Sequence, residues 1–135
     1  MTQEQKDLLL KDFCARLPYG VKVQSYDLDD EMETIETLIE IDSDGYVSTK
    51  ECDTLKHTLK PYLFPLSSMT EEQLYNNPIG FSQMLTIKAD RDWEKITINR
   101  RAYYKLVDWF NKNHFDYRGL IEEGLAIDAT GLNIY

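Results

Sequence analysis

The chain has 135 residues, fifteen Lys and Arg against twenty-four Asp and Glu, a formal net charge of −9 and 42% hydrophobic residues. That length suits one domain with an ordinary core, and the apolar share is enough to offset the chain entropy that keeps polar sequences disordered. The acidic balance excludes generic nucleic-acid binding, which needs Lys and Arg to displace counterions from phosphates, and disfavours anionic membranes; no apolar run approaches the roughly 20 residues that span a bilayer.

In chain order, residues 2–17 set Leu9, Phe13 and Leu17, with Leu10 and Cys14 beside them, on one helical face, and Thr2 is the candidate N-cap. Pro18 and Gly20 end that helix, and Val21, Val23 and Tyr26 read as a first strand. Residues 32–41 fit both a helical stripe and a strand face. The β-branched Thr34, Ile35, Thr37, Ile39 and Ile41 favour the strand, because branching restricts χ1 in a helix and suits a pleated surface. A turn at Ser43, Asp44 and Gly45 then pairs Asp42 with Tyr46, Ile41 with Val47 and Ile39 with Thr49, with Lys50 opposite Leu38. A further extended piece runs from about His57 to Phe64.

Thr70 and Gln73 form a capping box that starts a short helix, closed by residues 76–80. Residues 81–88 and 93–98 read as two strands joined by a polar turn. Asn99 caps the clearest helix, with Tyr103, Leu106, Val107 and Phe110 as its stripe, ending near Asn113. A shorter helical stretch is expected from about Asp116 to Gly124, and residues 125–135 carry too little pattern to assign.

The acidity is local. Residues 27–53 hold eleven acids and a single base, Lys50, so they sum to −10 and leave the rest of the chain at +1. Charge concentrated in this way steers a basic partner. Within that segment, residues 40–51 resemble a calcium loop, with Glu40, Asp42 and Asp44 at positions one, three and five, Gly45 at six, Val47 at eight, Ser48 at nine and Glu51 at twelve. An EF-hand needs flanking helices and a short acidic side chain at position one. Glu40 and the β-branched run before it fit a hairpin better, so calcium is the alternative and no metal ligand is assigned.

Cys14, Cys52, His57 and His114 lack the paired spacing of a zinc site, and a Cys–His catalytic pair would draw on the same residues. No phosphate loop, nucleophile elbow or metalloprotease helix is present, so no catalytic or cofactor-binding residue is assigned. Arg100, Arg101, Lys95, Lys105, Tyr103 and Tyr104 mix bases with aromatics near a helix start, but Asp90, Asp92 and Glu94 dilute them. The cluster from Trp109 to Arg118 reads as a helix end packing on the tail, and any exposed part of it as a protein contact. Two cysteines make no disulfide framework and no basic-then-apolar leader is read, so the cytoplasm is the expected compartment.

Residues 14–21 (CARLPYGV), 60–73 (KPYLFPLSSMTEEQ) and 111–121 (NKNHFDYRGLI), with Gly124-Leu125-Ala126, resemble a family of small uncharacterised proteins encoded by prophages and mobile elements of gut bacteria. The acidic loop lies outside the matching segments. The resemblance implies a bacterial setting and a phage-related accessory role, and brings no activity, cofactor or catalytic residue.

The expected fold is α+β: an N-terminal helix, a mainly antiparallel sheet from the middle of the chain and a C-terminal helix packed on it. The expected function is binding of a protein partner, with the acidic hairpin as a contact surface and oligomeric state open. A calcium-binding domain and an unrecognised small-molecule enzyme are the alternatives.

Overall fold

The computed structural model describes residues 1–27, 32–44, 46–49, 53–55, 59–89, 93, 96 and 98–135, with the backbone alone for residues 26, 27, 32 and 53–55. Helix α1 spans Gln3–Arg16 and opens on a capping box in which Thr2 and Gln5 satisfy each other's amides. Strands β1 (Lys22–Asp27), β2 (Met32–Ile41), β3 (Tyr46–Thr49) and β4 (Asp53–Leu55) follow as an antiparallel meander, and β5 (Lys60–Leu63) pairs with β1 from the other side. Helix α2 (Glu71–Tyr75) has the expected Thr70–Gln73 box, α3 spans Phe81–Ala89, and α4 (Arg100–Lys112) is capped by the Asn99 side chain on the amide of Ala102. Strand β6 (Ile127–Asp128) joins β5 in parallel, giving the order β4-β3-β2-β1-β5-β6. The fold is α+β, with a mainly antiparallel sheet.

Two apolar clusters hold it together. Leu9 and Phe13 of α1 lie on the inner face of the sheet against Val21, Val23, Leu38, Val47, Leu59 and Leu63. Beside the end of β5, Met84 and Ile87 of α3 meet Leu106 and Phe110 of α4, with Met69, Leu74, Trp93 and Phe115 closing the second cluster. Burial of such side chains is worth about 1.5–3 kcal/mol each, which fixes where the short helices sit.

Three expectations are corrected. Residues 81–88 form a helix instead of a strand. Met84 and Ile87, three apart, face the core, while Gln83, Lys88 and Ala89 are strong helix formers. Its entry is built by Asn77, whose Oδ1 accepts the amides of Ile79 and Gly80 while its Nδ2 donates to the Gln73 and Leu74 carbonyls that end α2. Among the described residues of 93–98 the backbone turns instead of extending: the Ile96 amide donates to the Trp93 carbonyl, and Trp93 is buried. Residues 116–119 are irregular and 120–124 make turns where a helix was expected, because both Asp116 carboxylate oxygens accept backbone amides, from Leu120 and from Ile121.

The first helix also buries a different stripe. Leu9 and Phe13 are in the core as expected, but Cys14 is exposed, and Asp12 and Arg16 are fully buried. His57 and Lys50, which entered the sequence reading of the strands, lie outside the described residues.

Candidate functional site

Residues 40–44 and 46–49 form the hairpin, with Ile41 opposite Val47. Asp42 organises its turn: Oδ1 accepts the amides of Asp44 at 2.8 Å and Tyr46 at 3.0 Å, and the Asp42 amide donates to the Tyr46 carbonyl at 2.9 Å. The Asp42 carboxylate and the Tyr46 carbonyl are groups an EF-hand would offer to calcium, and here they accept the amides that hold the bend of a hairpin flanked by strands. Glu40 sits opposite Ser48 on the strand pair, while Gly45 and Glu51 lie outside the described residues.

A bulge between Leu38 and Glu40 shifts the register, so Thr49 faces Leu38 and not Ile39 as expected. One extra residue on β2 lets Leu38 and Ile41, three apart, both point inward, and it turns Ile39 outward together with Glu40. Ile35, opposite Gln24, is outward as well. Ile35, Ile39 and Tyr46 are 49%, 56% and 45% exposed on the face that α1 does not cover. Glu33, Glu40, Asp42 and Asp44 surround them, all exposed. Between β1 and β5 the tail bonds to both strands. The Tyr135 hydroxyl donates to the Tyr62 carbonyl at 2.7 Å and accepts the Lys22 amide at 2.8 Å, and Tyr62 is buried.

A second concavity of about 1250 Å³ runs between α1, the end of α3, α4 and residues 116–122, lined among others by Lys11, Lys88, Trp93, Tyr103, Tyr104 and Arg118. Its polar groups mostly serve the fold. Lys88 donates to the Met69 carbonyl, and Arg118 donates to Asp12 at 2.7 Å while its guanidinium lies over the Tyr117 ring. Burial pushes the Asp116 carboxyl up, opposed by the two amides it accepts. Behind this wall Arg16 Nε bonds both Asp12 oxygens at 2.9 Å and its Nη2 reaches the Phe115 carbonyl. Sequence reasoning missed this network; the spacing of Asp12 and Arg16, four apart, was its only signal.

Of the remaining candidates in the Trp109–Arg118 segment, Phe110, Asn111, Phe115 and Asp116 are buried, Lys112 is exposed and the others are half-buried. Arg100, Arg101, Tyr103, Tyr104 and Lys105 lie exposed on α4, where Tyr103 stacks on Trp93. Cys52 and His57 lie outside the described residues, and among the described ones no three His, Cys, Asp or Glu side chains converge as a metal would require. No described helix is long and apolar enough to cross a membrane.

No known protein family matches the chain, and neither a curated protein nor a solved structure shows significant similarity to it.

Proposed function

We propose that this chain is a protein-interaction domain whose contact face is the outer surface of β2 and β3, acting in the phage-related accessory setting that the resemblance of its other segments suggests. The observation that carries the reading is the exposure of Ile35, Ile39 and Tyr46 on one sheet face. A sheet with one covered face ordinarily alternates apolar inside and polar outside, whereas strands apolar on both sides are those buried on both sides. On β2, Leu38 and Ile41 serve the core while Ile35 and Ile39 face solvent, so the strand has the character of one covered twice. Patches of this kind on a soluble chain mark contacts.

The test compares the intact chain with an Ile35→Thr/Ile39→Thr variant, which keeps β-branching and removes the apolar contact. Each is used to capture proteins from a gut-bacterial lysate, and a recovered partner is purified and titrated. A partner bound at least about tenfold more weakly by the variant, at unchanged melting temperature, supports the reading. Recovery of no specific partner, or equal affinity for both chains, overturns it.

A further inference from the structure

The charge around the exposed row says what kind of surface covers it. Ile35 and Ile39 stand roughly 13 Å apart along β2, a span that an α-helix covers in about two and a half turns. Helices laid on the open face of a sheet complete the layered packing that α1 supplies on the other side. Glu33 flanks one end of the row, and Glu40, Asp42 and Asp44 flank the other. Among the described residues Lys22 is the base on this face of β1, and its ammonium is held by the Thr37 hydroxyl at 2.6 Å.

A second copy of the chain is a poor occupant, because packing two such faces together sets the acidic rim of Glu33, Glu40, Asp42 and Asp44 against its own image. A neutral apolar helix would fill the row but desolvate the rim without compensation. A helix with Leu-like anchors and Lys or Arg on its flanks satisfies both, since the anchors cover Ile35, Ile39 and Tyr46 while the bases meet the carboxylates. We infer that the partner presents a basic amphipathic helix to the outer face of β2 and β3. The inference rests on the contact face proposed above and adds the chemistry of what docks there.

The probe is a 20-residue amphipathic Leu/Lys peptide, with a twin in which Gln replaces every Lys and a scrambled peptide of the same composition. Anisotropy titrations use the intact chain, Ile35→Thr/Ile39→Thr and Glu33→Gln/Glu40→Gln, at low and moderate salt, beside sedimentation of the chain alone. The intact chain is expected to bind the Leu/Lys peptide at least about tenfold more tightly than either control. The isoleucine variant should lose about tenfold, and the glutamine variant should lose affinity together with part of the salt dependence. Equal binding of the Gln twin, or no binding of the Leu/Lys peptide, overturns the basic helix and leaves the contact face to the lysate comparison. Undiminished binding by the isoleucine variant overturns both. Self-association abolished by Ile35→Thr/Ile39→Thr overturns the inference in favour of a second copy.

Discussion

The imidazole of His114 lies flat against the phenol ring of Tyr135, with ring centroids 3.7 Å apart and planes 15° from parallel. His114 holds a left-handed backbone, φ 61°, and its buried Nδ1 has no hydrogen-bond partner among the described residues. Burial first, then the positive charges of Arg16 and Lys22, lower its pKa from 6.5 to about 4. Between pH 6.5 and 4 the unfolded chain takes up a proton at this position and the folded chain does not, so folding stability falls as the pH drops through that window. Asn tolerates the left-handed backbone and does not titrate. Urea midpoints followed from pH 7 to 4 should fall more steeply for the intact chain than for His114→Asn. Parallel curves would remove His114 as the cause.

The Tyr135 hydroxyl stands where a direct bond between β1 and β5 would run. Val23 faces Pro61, so in the antiparallel register Lys22 comes opposite Tyr62, and the phenol joins the amide of one to the carbonyl of the other. Burial raises the Tyr135 pKa, which keeps the proton that the Tyr62 carbonyl accepts. Tyr135→Phe keeps the ring on His114 and leaves two backbone groups without their partner. The expected cost is about 1–3 kcal/mol in urea unfolding, with faster hydrogen exchange at the Lys22 amide. Unchanged exchange there would show that the hydroxyl does not hold the two strands.

Asp12 and Arg16 are both fully buried, with Arg118 and the Phe115 carbonyl completing the network. A buried pair of this kind contributes modestly as a pair, but breaking it exposes the full cost of an unmatched charge. Asp12→Leu should therefore destabilise by about 3–5 kcal/mol. Asp12→Leu/Arg16→Met, which removes both charges, should be less destabilised than Asp12→Leu alone, as read from urea midpoints. A double variant worse than the single one would mean that Arg16 matters mainly through Phe115.

What the sequence showed and what it hid divide along the range of the interactions. The caps at Thr2, Thr70 and Asn99 were legible because each bonds within three residues of itself. The β-branched run gave β2 by the same local logic. Helix α3 was missed because its entry depends on a side chain, Asn77, that bonds backward to α2 and forward to Gly80 at once. The tail was misread because Asp116 bonds amides where a helix would use carbonyls. Asp12 and Arg16 looked like surface residues, since their partners Phe115 and Arg118 lie about a hundred positions away. The acidic hairpin was visible as composition, but which isoleucines it exposes was set by a bulge that alternation alone does not predict.

The facing of β2 can be tested by substitution. With unbroken alternation Ile35, Ile39 and Ile41 would share one face. With the bulge Leu38 and Ile41 turn inward and Ile35 and Ile39 outward. Leu38 is 2% exposed, so Leu38→Ala should cost about 2–5 kcal/mol through lost burial and the cavity left behind. Ile39→Thr, at an exposed position that keeps its β-branching, should change stability by no more than about 0.5 kcal/mol. The two substitutions stand next to each other on one strand and differ in which face they touch, so urea unfolding of the pair shows directly which face of β2 is buried. A large loss at Ile39 with a small one at Leu38 would reverse the faces of β2 and with them the contact surface proposed for it.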